Sequence, residues 1–163
     1  MNIANLELLT SLYGEIPTLS GLRLRSINVN WRGPTVTLRV DLPEFPEAIP
    51  KDWLESGVDT IQCHLQFLAV ADLSLTTWAP PACNVSFSVQ PLEGESRVRV
   101  EAIAPEVNLH FTSSQSVLVG HVSAFRAQPD GSDSGPHLFT RILDRRLHHS
   151  LPEPSEKTFY ERL

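Results

Sequence analysis

Short runs in which apolar and polar residues alternate, each about the length of a strand and recurring at roughly ten-residue spacing, constrain this chain more than any other feature. Period-two patterning buries one face of a sheet and cannot serve a helix. The clearest run sets Ile61, Cys63, Leu65, Phe67 and Ala69 against Thr60, Gln62, His64 and Gln66. Val36, Leu38, Val40 and Leu42 alternate with Thr35, Thr37, Arg39 and Asp41. Further runs cover Leu73–Trp78, Val85–Gln90, Val98–Ala102 and Val107–Phe111. In the last run Val117, Val119, His121, Ser123 and Phe125 share one phase, with Leu118 and Val122 on the opposite face.

The stretch Arg23–Trp31 alternates less cleanly, because Leu22 and Leu24 are out of phase with Ile27, Val29 and Trp31. A bulge near Arg25 or Ser26 reconciles them. Arg32-Gly33-Pro34 then turns the chain, so residues 23–42 read as a hairpin. Pro43, Pro46, Pro50 and Gly57 interrupt the pattern, leaving room for one helical turn at Trp53-Leu54 that starts near Pro50.

Helical spacing occurs at the two ends. Ile3, Leu6, Leu9 and Leu12-Tyr13 form one apolar face, with Gly14 placed as a C-cap and Pro17 blocking continuation. Leu138, Phe139, Ile142, Leu143 and Leu147 resume that spacing after Gln128–Pro136, a loop or linker by composition. The expected fold is therefore mainly β: an antiparallel β-sandwich or curled sheet of about eight strands, with an N-terminal helix and a C-terminal helix. Residues 1–126 make one β-rich domain, and 127–163 supply a linker, the second helix and a tail. Thirteen prolines in 163 residues argue against a helix bundle.

Several function classes are excluded on composition. A net charge of -6 disfavours nucleic-acid binding, which needs clustered Lys and Arg on phosphates. No apolar run is long enough to span a membrane, and the opening residues lack the pattern of a secretion signal, so a cytoplasmic protein is expected. Cys63 reads as a small buried hydrophobe and Cys83 as a loop residue, both reduced. No zinc spacing, glycine-rich phosphate cradle or nucleophile motif occurs, so no cofactor, metal or catalytic residue is assigned. His148-His149 point to different sides of a helix beside Arg145-Arg146, a poor setting for one ion.

Charge is unevenly distributed. Between residues 40 and 96 nine acids face Lys51 alone, and six of them, Asp41, Glu44, Glu47, Asp52, Glu55 and Asp59, surround Trp53. Such a segment is either a solvated face or a docking surface for a basic partner, with Trp53 as its hot spot. Arg141, Arg145 and Arg146 make the expected C-terminal helix basic, a candidate partner for that segment within the same molecule. An alternative from another class is a small-ligand-binding domain or an enzyme that uses His64 or His121 on a concave sheet face. A third is a scaffold whose sheet edge pairs in a homodimer.

Leu12-Tyr13-Gly14 with Pro17 and Leu22–Ile27, then Cys63-His64-Leu65-Gln66-Phe67 with Leu73 and Trp78, and finally Ser116–Val122, together resemble the immunity protein 50 family of bacterial polymorphic toxin systems. The resemblance covers roughly residues 10–126 and rests on structural positions, not catalytic ones. It implies a small cytoplasmic protein that binds and neutralises a cognate toxin domain, with no catalytic residue to carry over.

Overall fold

A computed structural model describes residues 2–4, 7–79 and 83–140, the first three by their backbone alone. The chain runs β1 (Asn2–Ala4), α1 (Glu7–Tyr13), β2 (Arg23–Asn30), β3 (Thr35–Asp41), α2 (Lys51–Glu55), β4 (Thr60–Phe67) and β5 (Ala71–Trp78). It continues with β6 (Cys83–Asn84), β7 (Ser86–Pro91), β8 (Arg97–Ala104), β9 (Val107–Ser114), β10 (Ser116–Phe125) and β11 (Leu138–Phe139). The larger sheet has the order β1-β10-β4-β3-β2-β6, with β11 beside β10; the smaller is β5-β9-β8-β7. Pairing is antiparallel apart from β1 on β10. The mainly β expectation is met, and the long strands are those that the alternating runs mark.

Period-two burial builds the core. Val36, Leu38 and Val40 of β3 and Ile61, Cys63, Leu65 and Phe67 of β4 face Phe87, Val98, Val100, Leu109 and Phe111 of the smaller sheet, and all are buried. Single-residue links at Val85 and Gln115 carry the chain between sheets, so β6–β7 and β9–β10 fasten the two layers. The hairpin β2–β3 shows its expected irregularity between Leu24 and Ser26.

At the N-terminus, Leu8, Leu9 and Leu12 bury the apolar face of α1. Gly14, at φ 76°, ends the helix with its N–H on the Thr10 carbonyl at 2.8 Å. Ile3, expected on this helix, instead lies on β1, opposite Val117. Among the described residues, no helix is long and apolar enough to cross a membrane.

Two further expectations are corrected. Val117, Val119 and Phe125 do not share one face of β10. The register shifts between Gly120 and Ser123, and His121 sits at φ 50°. That extra residue reverses the phase, so Val122 and Ala124 join Val117 and Val119 in the core. Ser123 and Phe125 turn to the other face with His121. Leu138-Phe139 are not helical either: they pair with Ala124-Ser123 as β11. Ile142, Leu143, Leu147, the basic Arg141, Arg145 and Arg146, His148-His149 and Pro80-Pro81 lie outside the described residues.

Candidate functional site

The outer face of the larger sheet is polar, yet much of it is buried. Across β3, β4 and β10, Asp41 stands opposite Gln62 and Gln62 opposite Ser123; Arg39 stands opposite His64 and His64 opposite Gly120. Residues 126–137 cross this face as a strap. They cover side chains that alternation alone assigns to solvent.

The strap is held by a charged network. Arg25 donates from Nε and Nη2 to Asp41 Oδ2 at 2.9 and 2.6 Å, and from Nη1 to the Gly131 carbonyl at 2.8 Å. Gln62 Nε2 donates to Asp41 Oδ1 at 2.7 Å and to Asp133 Oδ2 at 2.9 Å. Arg39 Nη1 reaches the same Asp133 oxygen at 3.3 Å. Two guanidinium groups thus balance two carboxylates, and Gln62 bridges them. Burial pushes the Asp133 carboxyl upward, but the Gln62 hydrogen bond, Arg39 and Arg25 together outweigh it and hold the group below its usual range.

An aromatic stack completes the attachment. The His137 ring lies parallel to Phe125 at 4.7 Å between centroids, while the Arg25 guanidinium carbon stands 5.7 Å from the centroid of that Phe125 ring. His137 Nδ1 is 2.9 Å from Ser123 Oγ, and Nε2 is 3.1 Å from the Asp133 carbonyl. A carbonyl only accepts, so Nε2 carries the proton and Nδ1 accepts from the hydroxyl. Burial is the largest influence and holds His137 below its ordinary value.

His64 and His121, the two sheet-face histidines, do converge: their rings meet edge to face at 5.1 Å. Both are buried, at 6% and 2% exposure. His110 is exposed on β9 of the other sheet. Among the described residues, no group of three or more His, Cys, Asp or Glu side chains is placed to hold a metal ion.

The acidic segment 41–59 divides by burial. Glu44, Glu47, Asp52, Glu55 and Asp59 are exposed, whereas Asp41 and Trp53 are buried. Neighbours on one helical turn point in different directions, so α2 turns Trp53 inward and leaves Leu54, 64% exposed, as its outward hydrophobe. The segment is fixed where it leaves the sheet. Tyr13 Oη donates to the Glu44 carbonyl at 2.6 Å. Burial first, then Cys63 and Glu44, push that hydroxyl well above its ordinary range. At the far end Asp59 Oδ1 accepts from Thr60 Oγ1 at 2.8 Å and from the Ala127 N–H at 2.9 Å. Both bounding carboxylates, Asp41 and Asp59, therefore serve to tie the segment down and connect it to the strap.

Arg25, Arg39, Gln62, Ser123, Asp133 and His137 were not distinguishable as a site in the sequence. For Arg39 and Gln62 the one local signal is the polar phase of the strand alternation.

A family model described as immunity protein 50 matches residues 5–119. No curated protein and no solved structure matches the chain.

Proposed function

Because the chain belongs to the immunity protein 50 family, we propose that it binds a cognate toxin domain in the cytoplasm and neutralises it by stoichiometric occlusion, without catalysis. The toxin presents a basic face to the segment 41–59. One observation carries this choice of surface: the exposed acids Glu44, Glu47, Asp52 and Glu55 stand on a segment whose two ends are clamped by Asp41 and Asp59. A surface fixed before encounter costs less ordering on binding, and complementary charge speeds the encounter itself. Leu54 supplies apolar area beside these acids. Trp53 serves from below, as the anchor of α2.

Charge reversal at three exposed positions, Glu44→Lys, Glu47→Lys and Asp52→Lys together, tests the surface against the purified toxin domain. Association slows strongly and loses much of its salt dependence. Unchanged kinetics remove this segment from the interface. Growth rescue on co-expression with the toxin domain tests neutralisation.

A second reading, ligand binding or chemistry at the polar face, is favoured by the convergence of His64 and His121. It predicts that His64→Gln and His121→Gln variants with a native circular dichroism spectrum lose function. The charge-reversed protein would then keep it.

A further inference from the structure

Residues 126–139 are attached to the larger sheet in a way that differs from the rest of the fold. Phe125 and Phe139 are buried but stand apart from the core between the sheets, and His137 is stacked against the first of them. Besides this small stack and the short backbone pairing of β11 with β10, where Leu138 also packs against the core, the strap is held by the hydrogen bonds and ion pairs of Arg25, Arg39, Gln62, Asp59 and Ser123. We propose that residues 126–139 form an acid-released strap: proton uptake by His137 detaches it from the outer face of the sheet and loosens the Asp59 end of the acidic segment 41–59.

The chemistry follows from the partners of the ring. Neutral His137 satisfies both nitrogens, giving Nε2–H to the Asp133 carbonyl and taking the Ser123 hydroxyl proton at Nδ1. An imidazolium must donate from both. Ser123 then has to turn its hydroxyl to accept, and its own hydrogen is left in a fully buried environment. The new charge also sits in a site only 6% exposed.

The surrounding charges do not cancel this cost. Asp133 on the strap and Asp41 on β3 favour the cation, while burial and Arg39 of β3 oppose it, with burial the greatest influence. From β2, Arg25 is committed to Asp41 and to the Gly131 carbonyl; from β4, Gln62 bridges Asp41 and Asp133, and His64 shares the face; from β10 come Ser123, Phe125 and His121. The folded value lies below the ordinary 6.5, so the closed strap is fully favoured above that pH and loses ground as pH falls below it.

Release reaches the acidic segment through hydrogen bonds. Asp59 loses the Ala127 N–H, while Arg25 and Gln62, which both donate to Asp41, lose their strap partners, the Gly131 carbonyl and the Asp133 carboxylate. The proposal does not depend on any toxin.

Hydrogen exchange of the full chain by mass spectrometry from about pH 7 to about pH 5, corrected for intrinsic rates, tests it. Exchange in 127–139 and in 42–58 rises together, by at most about tenfold per pH unit, as one proton allows, while β4 and β9 stay protected. His137→Phe keeps a ring on Phe125 and cannot titrate, so its strap exchange is flat with pH. A wild-type strap that is flat with pH, opening of the whole domain at the same pH, or an unchanged slope in the variant overturns the proposal. Strap opening without 42–58 overturns the coupling. If the variant does not fold, the nitrogen shifts of the wild-type His137 ring decide. They titrate where strap protection falls; titration with the strap still protected overturns the proposal.

Discussion

Arg25 and Asp41 form a buried ion pair, with Nη2 at 2.6 Å from Oδ2 and side chains 7% and 6% exposed. The pair joins β2 to β3 and, through the third guanidinium donor, reaches the strap at Gly131. Removing one partner leaves the other charge buried with no counter-charge on it, held by the Gln62 donor at Asp41 or the Gly131 carbonyl at Arg25. Asp41→Ala and Arg25→Met should therefore each cost about 3–5 kcal/mol in urea unfolding. The double variant should cost clearly less than the sum. Additive losses would show that the two side chains act independently.

Asp133 gives the stability a second, more acidic dependence. Its folded value lies below the ordinary 3.8, because Gln62, Arg39 and Arg25 outweigh burial. A depressed carboxyl contributes stability that is fully present above the unfolded value and lost as pH falls through the folded one. Asp133→Asn should flatten the acid limb of the urea midpoint below about pH 4, leaving the limb assigned to His137 in place. An unaltered acid limb would remove Asp133 from the network that holds the strap.

The sandwich was legible because alternation is a local property. Gln62, His64 and Gln66 fall opposite Ile61, Cys63 and Leu65 in any window that contains β4. In β10 the same reasoning fails halfway, since a left-handed residue at His121 is a backbone choice that no apolar pattern announces. Leu138 and Phe139 begin a run with helical spacing, but their pairing with Ala124 and Ser123 decides their state. The strap was least legible. Its Gly, Ser, Asp and Pro content is that of a linker, and the partners of Asp133 lie at Arg39 and Gln62, far away in sequence. Asp41 had the same ambiguity: by residue type it belongs to the acidic segment, by contact to a buried pair.

Gly131 makes the strap sensitive to a single methyl group. It sits at φ 79°, and a Cβ there would lie 2.8 Å from Arg23 Nη2 and 3.3 Å from Nη1. Gly131→Ala should destabilise by about 1 kcal/mol or more from the backbone alone. It should also loosen 127–139 in hydrogen exchange more than the sheets. Equal loosening everywhere would mean that the strap and the sandwich are one cooperative unit.

Trp53 separates anchoring from recognition in the acidic segment. The ring is fully buried, and among the described residues its Nε1 finds no hydrogen-bond acceptor. Trp53→Ala should cost about 3–5 kcal/mol through the cavity it leaves. Trp53→Phe should cost far less, because it keeps an aromatic ring and removes an unsatisfied buried donor. Urea unfolding of the two variants measures the difference. A phenylalanine variant as unstable as the alanine one would show that indole shape, not burial of an aromatic ring, holds α2 in place.

The two thiols provide a chemical clock for opening of the sandwich. Cys63 is fully buried on β4, and burial, with Asp41 adding to it, pushes its thiol up to about 12. Cys83, half-buried on the short β6, is also raised, mainly by burial and then by Glu106, against Arg23. Thiolate, not thiol, reacts with an alkylating reagent, and only where the reagent can reach it. At about pH 8 iodoacetamide should modify Cys83 first, while Cys63 reacts only as fast as the sandwich opens. Urea should accelerate Cys63 far more than Cys83. Equal rates in native buffer would mean that the Cys63 side chain is not sealed between the two sheets.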